Sequence, residues 1–474
     1  MTVERMLVVD LDGTLIRTDM LFESFWAALS KTWTTPFVAA ACLGAGRAAL
    51  KRRLHDLGAV DVATLPYNAD VVGYVQRWRE NEGRVALVTA SDQAVAEEVA
   101  SYLGIFDEVH GSDGNLNLKG QRKAQFLADR FGECGFVYIG DAEADLAVWE
   151  KAAKAVTVNP SRSLKARVDV LGCEVEHLTT YALSVRDYLK ALRPHHWIKN
   201  VLMFLPMLLA HNFAADTFGQ SLLAFIAFSL VASSVYILND LLDLAADRAH
   251  PRKRCRPFAS GAVPIAHGML LAPILLLMGL ACALLLGWSF VLVMLAYYAA
   301  TTAYSLDLKH RVIIDICMLA VLYTMRIVAG GAATDIPISV WLLAFSIFFF
   351  FSLATVKRYA ELVDGVASGQ IRAHGRGYHV DDLPLMGAMA LASGYVSVLV
   401  MALYVNSPAV LALYSYPFAL WGVCLVLLYW ISRMVMVTHR GAMHDDPVVY
   451  ATNDRISQVC LLLVLAFVAG AKVL

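Results

Sequence analysis

The chain has 474 residues, of which 58% are hydrophobic and 17% are charged, and its formal net charge is −1. Soluble domains average about 25% charged residues, so this composition excludes a wholly soluble protein. The near-neutral charge gives no reason to expect a nucleic-acid partner. The eight cysteines include no CxxC pair, which excludes a disulfide framework and a cysteine-based metal site.

Charged residues are unevenly distributed along the chain. Residues 1–190 carry them at ordinary soluble density, whereas apolar runs recur from about Trp197 to the C-terminus. These runs are about 20 residues long, the length that crosses the hydrocarbon core of a bilayer. The sequence therefore predicts a soluble domain fused to a polytopic membrane domain. The start, MTVERMLVVDLDG, lacks the pattern of a signal peptide, so we expect the soluble domain to lie in the cytoplasm.

The soluble part contains apolar runs that each end in polar residues. The run 6–9 ends in Asp10 and Asp12, and the runs RVALVTAS (84–91) and FVYIGDAEADL (136–146) end in hydroxyl and acidic residues. Buried parallel strands have this pattern, and open α/β sheets place their chemistry at the carboxyl ends of the strands. We therefore predict a parallel α/β domain with an active site at that edge.

These segments resemble the haloacid dehalogenase superfamily over about residues 5–160. The DxDGT motif of that superfamily matches Asp10-Leu11-Asp12-Gly13-Thr14. The resemblance implies a Rossmann-like phosphatase in which Asp10 is the nucleophile and Asp12 is the general acid/base. It also implies an insert at about 20–67 that forms a helical cap.

The resemblance implies three further groups. The hydroxyl of the second motif is Thr89, with Ser91 as the alternative. The lysine is Lys123, on a helix predicted over 121–132, with Lys119 as the alternative. One Mg²⁺ ion is expected, and its implied ligands are Asp10, Asp12 through its carbonyl, Asp141 and Asp145. The chemistry supports this set, because a carboxylate can attack phosphorus only where cations neutralise the phosphoryl oxygens.

The hydrophobic part predicts about nine transmembrane helices after a linker and approach helix at 166–196. The soluble domain is assigned to 1–165 and the membrane domain to 197–474. The expected spans are 198–213, 219–238, 264–284, 288–305, 311–331, 338–356, 385–404, 411–432 and 456–473. The basic segments RPHHWIKN, DRAHPRKRCRP, LKHR, KRYAEL with RAHGRG, and SRMVMVTHRG all fall on one side. Basic loops favour the cytoplasm, which places both active sites there in a bacterial-type inner membrane.

The loop NDLLDLAADRAHPRKRCRP (239–257) interleaves acids and bases. Asp240, Asp243 and Asp247 have the spacing of one helical face, so we call them the acidic stripe. Three neighbouring carboxylates need cations among them, and their oxygens suit one or more Mg²⁺ ions that also hold substrate phosphates. The predicted phosphate ligands beside the stripe are Arg248, His250, Lys253, Arg254 and Arg256. Together they indicate a pyrophosphate site.

This loop resembles the UbiA family of polyprenyl-handling transferases. Asn239 and the acidic stripe match the NDxxDxxxD motif of that family, and the resemblance covers about residues 190–474. The second aspartate-rich motif of the family is not evident. The segments 304–331 and TVKRYAEL (355–362) instead resemble one branch, the decaprenyl-phosphate phosphoribosyltransferases. That resemblance implies phosphoribosyl pyrophosphate and a polyprenyl phosphate as substrates.

Ionisable residues within the predicted spans support a polar cavity. Asp315 and Arg326 fall on one helical face, and Lys357 and Glu361 have the spacing of an ion pair beside Arg358. Charged groups at membrane depth are costly and commonly line functional cavities. The predicted substrate-binding residues of this region are Lys199, Asn239, Tyr304, Lys309, Asp315, Arg326, Lys357, Arg358 and Glu361.

These features predict a membrane transferase that moves 5-phosphoribose to a polyprenyl phosphate. Its phosphatase domain would then remove the 5-phosphate from the product. One alternative is a prenyltransferase that moves a polyprenyl group from its diphosphate to an aromatic or other small acceptor. A second is a transporter or binding module for lipid phosphates. A homo-oligomer is one candidate assembly.

Overall fold

A computed structural model describes residues 5–44, 47–113, 117–181, 183–367, 377–443 and 446–473. Most of the predicted basic segment RAHGRG lies outside these ranges. The chain divides into two compact units. The first unit comprises Met1–Leu192 and Tyr236–Ala272, and the second comprises Arg193–Val235 and Pro273–Leu474. The first unit therefore contains both the predicted soluble domain and the loop with the acidic stripe.

A six-stranded parallel sheet forms the centre of the soluble domain. Its strands are β1 (Met6–Val9), β2 (Val85–Asp92), β3 (Glu108–Ser112), β4 (Phe136–Gly140), β5 (Lys154–Val158) and β6 (Glu174–Leu178). Their order is β3-β2-β1-β4-β5-β6, and every neighbouring pair is parallel. The predicted α/β class is confirmed. β6 lies within the stretch 166–196 expected to be a linker, so the sheet extends past residue 165.

Helices cover both faces of the sheet, which explains why β1 is apolar throughout. Leu7 and Val9 belong to one buried cluster, and Met6 and Val8 belong to another. Alternate residues of a strand point to opposite faces, so a doubly covered strand reads as a continuous apolar run. Because β1 and β4 are paired in parallel, their carboxyl ends lie side by side.

Among the described residues up to 192, nine helices accompany the strands. They are α1 (Met20–Lys31), α2 (Thr35–Leu43), α3 (Arg47–Leu57), α4 (Ala69–Glu80), α5 (Gln93–Leu103), α6 (Gln121–Phe131), α7 (Leu146–Trp149), α8 (Arg162–Val168) and α9 (Val185–Leu192). The first three lie in the segment predicted to be a cap. Asp19 caps α1 by accepting a 2.8 Å hydrogen bond from the Leu21 amide. Ala28 of α1 packs with Leu50 and Leu54 of α3 in a small core.

The rest of the described chain is helical. Its α-helices are α10 (Leu205–Leu209), α11 (Ala215–Leu242), α12 (Leu244–Ala249), α13 (Ile265–Leu284), α14 (Trp288–Leu306), α15 (Ile314–Thr334), α16 (Val340–Ala367), α17 (Leu383–Val405), α18 (Pro408–Leu413), α19 (Trp421–His439), α20 (Pro447–Asn453) and α21 (Arg455–Val473). Within the described ranges, eight helices are long and apolar enough to cross a membrane: α11, α13, α14, α15, α16, α17, α19 and α21.

The expected count of nine spanning helices is corrected to eight. The first expected span, 198–213, is instead a 3₁₀ helix, Pro194–Phe204, followed by the short α10. Pro206 stands in the first turn of α10 and has no amide hydrogen, so regular α-helical bonding does not continue through it. The orientation of the spans stays a prediction.

Candidate active sites

Three carboxylates meet at the carboxyl edge of the sheet. Asp10 follows β1 directly, Asp141 follows β4, and Asp145 ends the next helical turn. One oxygen from each carboxylate lies within 4.8 Å of the others. Carboxylate oxygens at this separation are the hard ligands that Mg²⁺ prefers. The residues present therefore fit the metal that was expected here.

A buried lysine neutralises the nucleophile candidate. Lys123 is 3% exposed, and its Nζ donates to Asp10 Oδ1 at 2.7 Å and to Tyr138 Oη at 2.9 Å. Tyr138 in turn donates to Asp145 Oδ1 at 2.9 Å. Lys119, the alternative lysine, is exposed. Of the two lysines, the structure brings Lys123 to Asp10.

The glycine of the DxDGT segment allows two motifs to approach each other. Gly13 has a φ of +73°, and a Cβ atom built there would lie 2.2 Å from Asp141 Oδ2. The hydroxyl of Thr14 donates to Asp141 Oδ1 at 3.3 Å. Only glycine fits such a position, because the backbone is left-handed and no space remains for a side chain.

Asp12 has the surroundings of a proton-transfer group. It accepts from the Met20 amide at 2.8 Å and from the Ser91 hydroxyl at 2.6 Å. Burial, with the charges of Asp19 and Asp10, raises the pKa of Asp12 to about 7. A carboxyl with this pKa can donate and accept a proton near neutral pH. Thr89 is buried, and its hydroxyl accepts from the Ser91 amide at 3.0 Å. Of these two hydroxyls, the one that contacts Asp12 belongs to Ser91.

Two residues of this site had not been anticipated. In the sequence, Tyr138 looks like a core residue of β4. The structure shows that its hydroxyl contacts Lys123 of α6 and Asp145. Lys51 of α3 donates to the Ala90 carbonyl at 2.6 Å, which brings a basic residue of the cap segment beside the second motif. No sequence spacing connects either residue to the carboxylates.

The acidic stripe lies where α11 passes into α12, and Asp243 stands between the two helices. Arg256 Nη1 contacts Asp240 Oδ1 at 3.3 Å and Asp247 Oδ2 at 2.5 Å, so these two carboxylates do share one side. Asn239 donates to Asp243 Oδ2 at 3.0 Å. Asn239 therefore orients an acid of the motif.

The other basic residues of the loop are placed differently. Arg248 contacts Glu23 of α1 at 2.7 and 2.9 Å. Lys253 and Arg254 are exposed, and His250 Nδ1 accepts from the Arg252 and Lys253 amides at 3.2 and 3.4 Å. Arg256 is thus a predicted phosphate ligand that the structure brings onto the stripe.

The second unit holds two lysines around one carboxylate. Asp446 Oδ2 accepts from Lys199 at 2.7 Å and from Lys357 at 3.0 Å, and the Tyr323 hydroxyl contacts the same carboxylate. Burial raises the pKa of Asp446, but the charges of Lys357 and Lys199 outweigh it and hold that pKa well below the usual range. Asp446 was not anticipated, because it is distant from both lysines in sequence.

A second charged cluster surrounds Arg358 of α16. Arg358 is 1% exposed and contacts Asp315 Oδ2 at 2.5 Å, Glu361 Oε1 at 2.6 Å and Tyr304 Oη at 2.9 Å. The Tyr378 hydroxyl also donates to Asp315. The expected pairing of Lys357 with Glu361 is therefore replaced, since Arg358 binds Glu361.

Arg326, on the same helix as Asp315, has different partners. Its guanidinium donates to Asn200 Oδ1 at 2.9 Å and to Tyr297 Oη at 3.1 Å. Lys309 is half-buried in a 3₁₀ turn, Leu308–His310. The two charged residues of α15 thus belong to separate groups along the helix.

The profile of the UbiA prenyltransferase family matches residues 200–453, which is more than half of the chain. The chain belongs to this family. The profile of haloacid dehalogenase-like hydrolases matches residues 7–150. The two resemblances seen in the motifs are thereby confirmed. The chain is a transferase of the UbiA superfamily that carries a hydrolase-like domain at its N-terminus.

Relatives of known sequence extend this picture. Uncharacterized protein y4nM of Sinorhizobium fredii is 39% identical over 95% of this chain and 88% of its own length. Nodulation protein NoeC of Azorhizobium caulinodans is 39% identical over 58% of this chain and 90% of its own length. Decaprenyl-phosphate phosphoribosyltransferase of Mycobacterium tuberculosis is 40% identical over 183 residues, 38% of this chain and 61% of that protein.

The two lysine candidates can be separated by mutation. Lys123→Met should lower hydrolysis of p-nitrophenyl phosphate by about 10²–10³-fold, because it removes a buried cation from the phosphoryl site. Lys119→Met, a matched change at an exposed lysine, should leave the rate unchanged. Circular dichroism should show both variants folded. Equal losses in the two variants would contradict the assignment of Lys123.

Proposed function

We propose that the protein transfers 5-phosphoribose from phosphoribosyl pyrophosphate to a polyprenyl phosphate and releases pyrophosphate. The observation that carries the proposal is the pair of lysines in the second unit, Lys199 and Lys357, which share the single carboxylate of Asp446. A transferase with a neutral acceptor does not need such a group, whereas a lipid phosphate does. The name of the mycobacterial relative supports the same substrates.

The acidic stripe is assigned to the pyrophosphate of the donor. Asp240, Asp243 and Asp247 would hold Mg²⁺, which when bound supplies positive charge to the departing pyrophosphate. Arg256 already lies between two of these carboxylates and offers further donors to phosphate oxygens. Asn239 keeps Asp243 oriented.

The lysines are assigned to anionic groups of the substrates. Two lysines on one carboxylate leave a net positive charge, so Lys199 and Lys357 can bind a phosphate in addition to Asp446. A lipid phosphate is already ionised near neutral pH, and its attack requires no strong base. Positioning and charge neutralisation would therefore supply most of the catalysis.

In the proposed reaction, an oxygen of the lipid phosphate bonds to the anomeric carbon of the donor. The bond from that carbon to the pyrophosphate oxygen breaks, and pyrophosphate leaves with the electron pair. The hydrolase-like domain then acts on the 5-phosphate of the product. Asp10 attacks that phosphorus, Asp12 protonates the leaving alcohol, and Asp12 afterwards activates water to release phosphate.

Fusion of the two domains supports a sequential reaction, because a tethered domain meets the product at a high effective concentration. Both sites are proposed to open to the cytoplasm, following the basic segments between the spans. The competing possibility is prenyl transfer, which the name of the family suggests.

Neutralising the acidic stripe should stop the transfer. Asp243→Asn and Asp240→Asn should each lower Mg²⁺-dependent pyrophosphate release by about 10²-fold or more, because a metal ligand is lost. Asp216→Asn, an exposed change at the other end of α11, is the matched control and should have no effect. Near-normal transfer by the stripe variants would refute the metal assignment.

Donor choice separates the two transferase reactions. The purified protein should consume phosphoribosyl pyrophosphate with a short polyprenyl phosphate, and should leave polyprenyl diphosphate unchanged in the presence of aromatic acids. Radiolabelled donors and thin-layer separation of the lipids measure both reactions. The opposite preference would establish prenyl transfer in place of our proposal.

The two steps should separate by mutation of the soluble domain. Asp10→Asn removes the nucleophile, which typically costs several orders of magnitude in rate, and leaves the transferase residues intact. The variant should accumulate the phosphorylated lipid sugar, whereas the wild type and the exposed control Asp129→Asn should yield the dephosphorylated lipid. Mass spectrometry distinguishes these lipids by one phosphate. If Asp10→Asn and the wild type give the same phosphorylated lipid, the soluble domain acts on another substrate.

A further inference from the structure

A buried ion pair joins the hydrolase-like domain to the helix of the acidic stripe. Both partners belong to the first unit, with Glu23 in the first turn of α1 and Arg248 near the end of α12. Arg248 Nη2 lies 2.7 Å from Glu23 Oε1, and Nη1 lies 2.9 Å from Oε2. The side chains are 5% and 2% exposed. This two-point geometry is the strongest form of an arginine–carboxylate contact.

Each partner is fixed by further hydrogen bonds. The Thr18 hydroxyl donates to Glu23 Oε1 at 2.7 Å. Arg248 Nε donates to the Ala259 carbonyl at 2.9 Å, so all three nitrogens of the guanidinium are engaged. A buried charge whose donors are satisfied in one arrangement resists displacement, because removing its partner leaves that charge uncompensated.

The backbone of the loop also packs tightly on the soluble domain. Gly261 has a φ of +71°, and a Cβ atom built there would lie 2.7 Å from Arg17 Cβ and 2.9 Å from the Arg17 carbonyl oxygen. The Arg17 amide is itself tied to Pro66 at 2.9 Å. This contact involves no charge, so it is a second and independent sign that the two segments fit each other.

Short covalent and hydrogen-bonded links connect the pair to both active sites. On one side, the Met20 amide at the start of α1 donates to Asp12 at 2.8 Å. On the other side, Arg248 follows Asp247, whose amide donates to the Asp243 carbonyl at 2.8 Å. A displacement of α1 would therefore move the helix that carries the acidic stripe.

We propose that Glu23 is a positioning residue of the transferase, supplied by the hydrolase-like domain. Through Arg248 it holds α12 in the orientation that sets Asp247 beside Asp240. The hydrolase-like domain is then a structural part of the transferase, whatever substrate it hydrolyses. This role replaces direct phosphate binding as our interpretation of Arg248. The activity readout rests on the proposed function, whereas the docking itself does not.

A double-mutant cycle on the full-length protein tests the pair. Glu23→Gln and Arg248→Met should each lower pyrophosphate release by about 10–100-fold and raise the Mg²⁺ concentration needed for half-maximal rate, as loss of an orienting partner does. The double variant should be no slower than either single variant, because both act through one contact. Glu108→Gln, which breaks ion pairs elsewhere in the same domain, should match the wild type.

The cycle also has an outcome that overturns the proposal. If Arg248 binds a substrate phosphate directly, Arg248→Met should lower the rate, and Glu23→Gln should leave it unchanged or raise it by freeing the guanidinium. Additive losses in the double variant would equally reject a shared role. Either result would return Arg248 to the substrate site.

Hydrogen exchange tests the docking without any activity. Peptides covering 244–260 should exchange faster in Glu23→Gln than in the wild type or Glu108→Gln, while peptides of β1 and β4 keep their protection and report an intact fold. Gly261→Ala should have the same effect, because it blocks the close approach and leaves both charges in place. Unchanged exchange in both variants would refute the docking. If the wild type releases no pyrophosphate, the proposed function fails and exchange alone decides this proposal.

Discussion

Carboxylates that stand close together repel each other, and two acidic clusters of this chain are each held by a cation among their members. Lys123 occupies this place beside Asp10, and Arg256 occupies it between Asp240 and Asp247. Such contacts are weak in water and strong where water is excluded, and Lys123, Asp240 and Asp247 are buried. The sheet edge and the α11–α12 junction thus use the same balance on unrelated folds, and the three carboxylates at the sheet edge lie close enough to hold one metal ion.

The lysine pair of the second unit has the opposite balance. Asp446 receives two lysines, which leaves one positive charge there, whereas Arg358 is balanced by Asp315 and Glu361. A surplus of positive charge favours an anionic ligand, just as a surplus of carboxylates favours a cation. The carboxylates of the family motif and the lysines at Asp446 are the groups that the proposed reaction assigns to the pyrophosphate donor and the phosphate acceptor.

The sequence predicted features that depend on neighbouring residues. Apolar runs marked β1, β2 and β4, and the DxDGT and NDxxDxxxD spacings identified both carboxylate clusters. The start of α6 explains why Lys123 rather than Lys119 is buried, since only the former lies within the helix. The first expected span failed because hydropathy does not register the break at Pro206.

Residues that act across long separations were not predictable. Asp446 and Lys199 are 247 positions apart, and no local pattern joins them. Tyr138 looked like sheet core, because its hydroxyl contacts Lys123 only when α6 packs against β4. Glu23 was one acid in an unremarkable helix, and its importance depends on a loop that follows much later in the chain.

The distance in sequence between Glu23 and Arg248, 225 positions, also bears on how the protein is assembled. Domains generally fold in the order of their synthesis, so the sheet through β6 can be complete while the membrane helices are still being made. The buried pair can close only after α11 and α12 have been synthesised. The folded soluble domain thus presents the Glu23 carboxylate, against which the later loop with Arg248 can fold. The N-terminal domain can in this way guide the folding of the NDxxDxxxD segment.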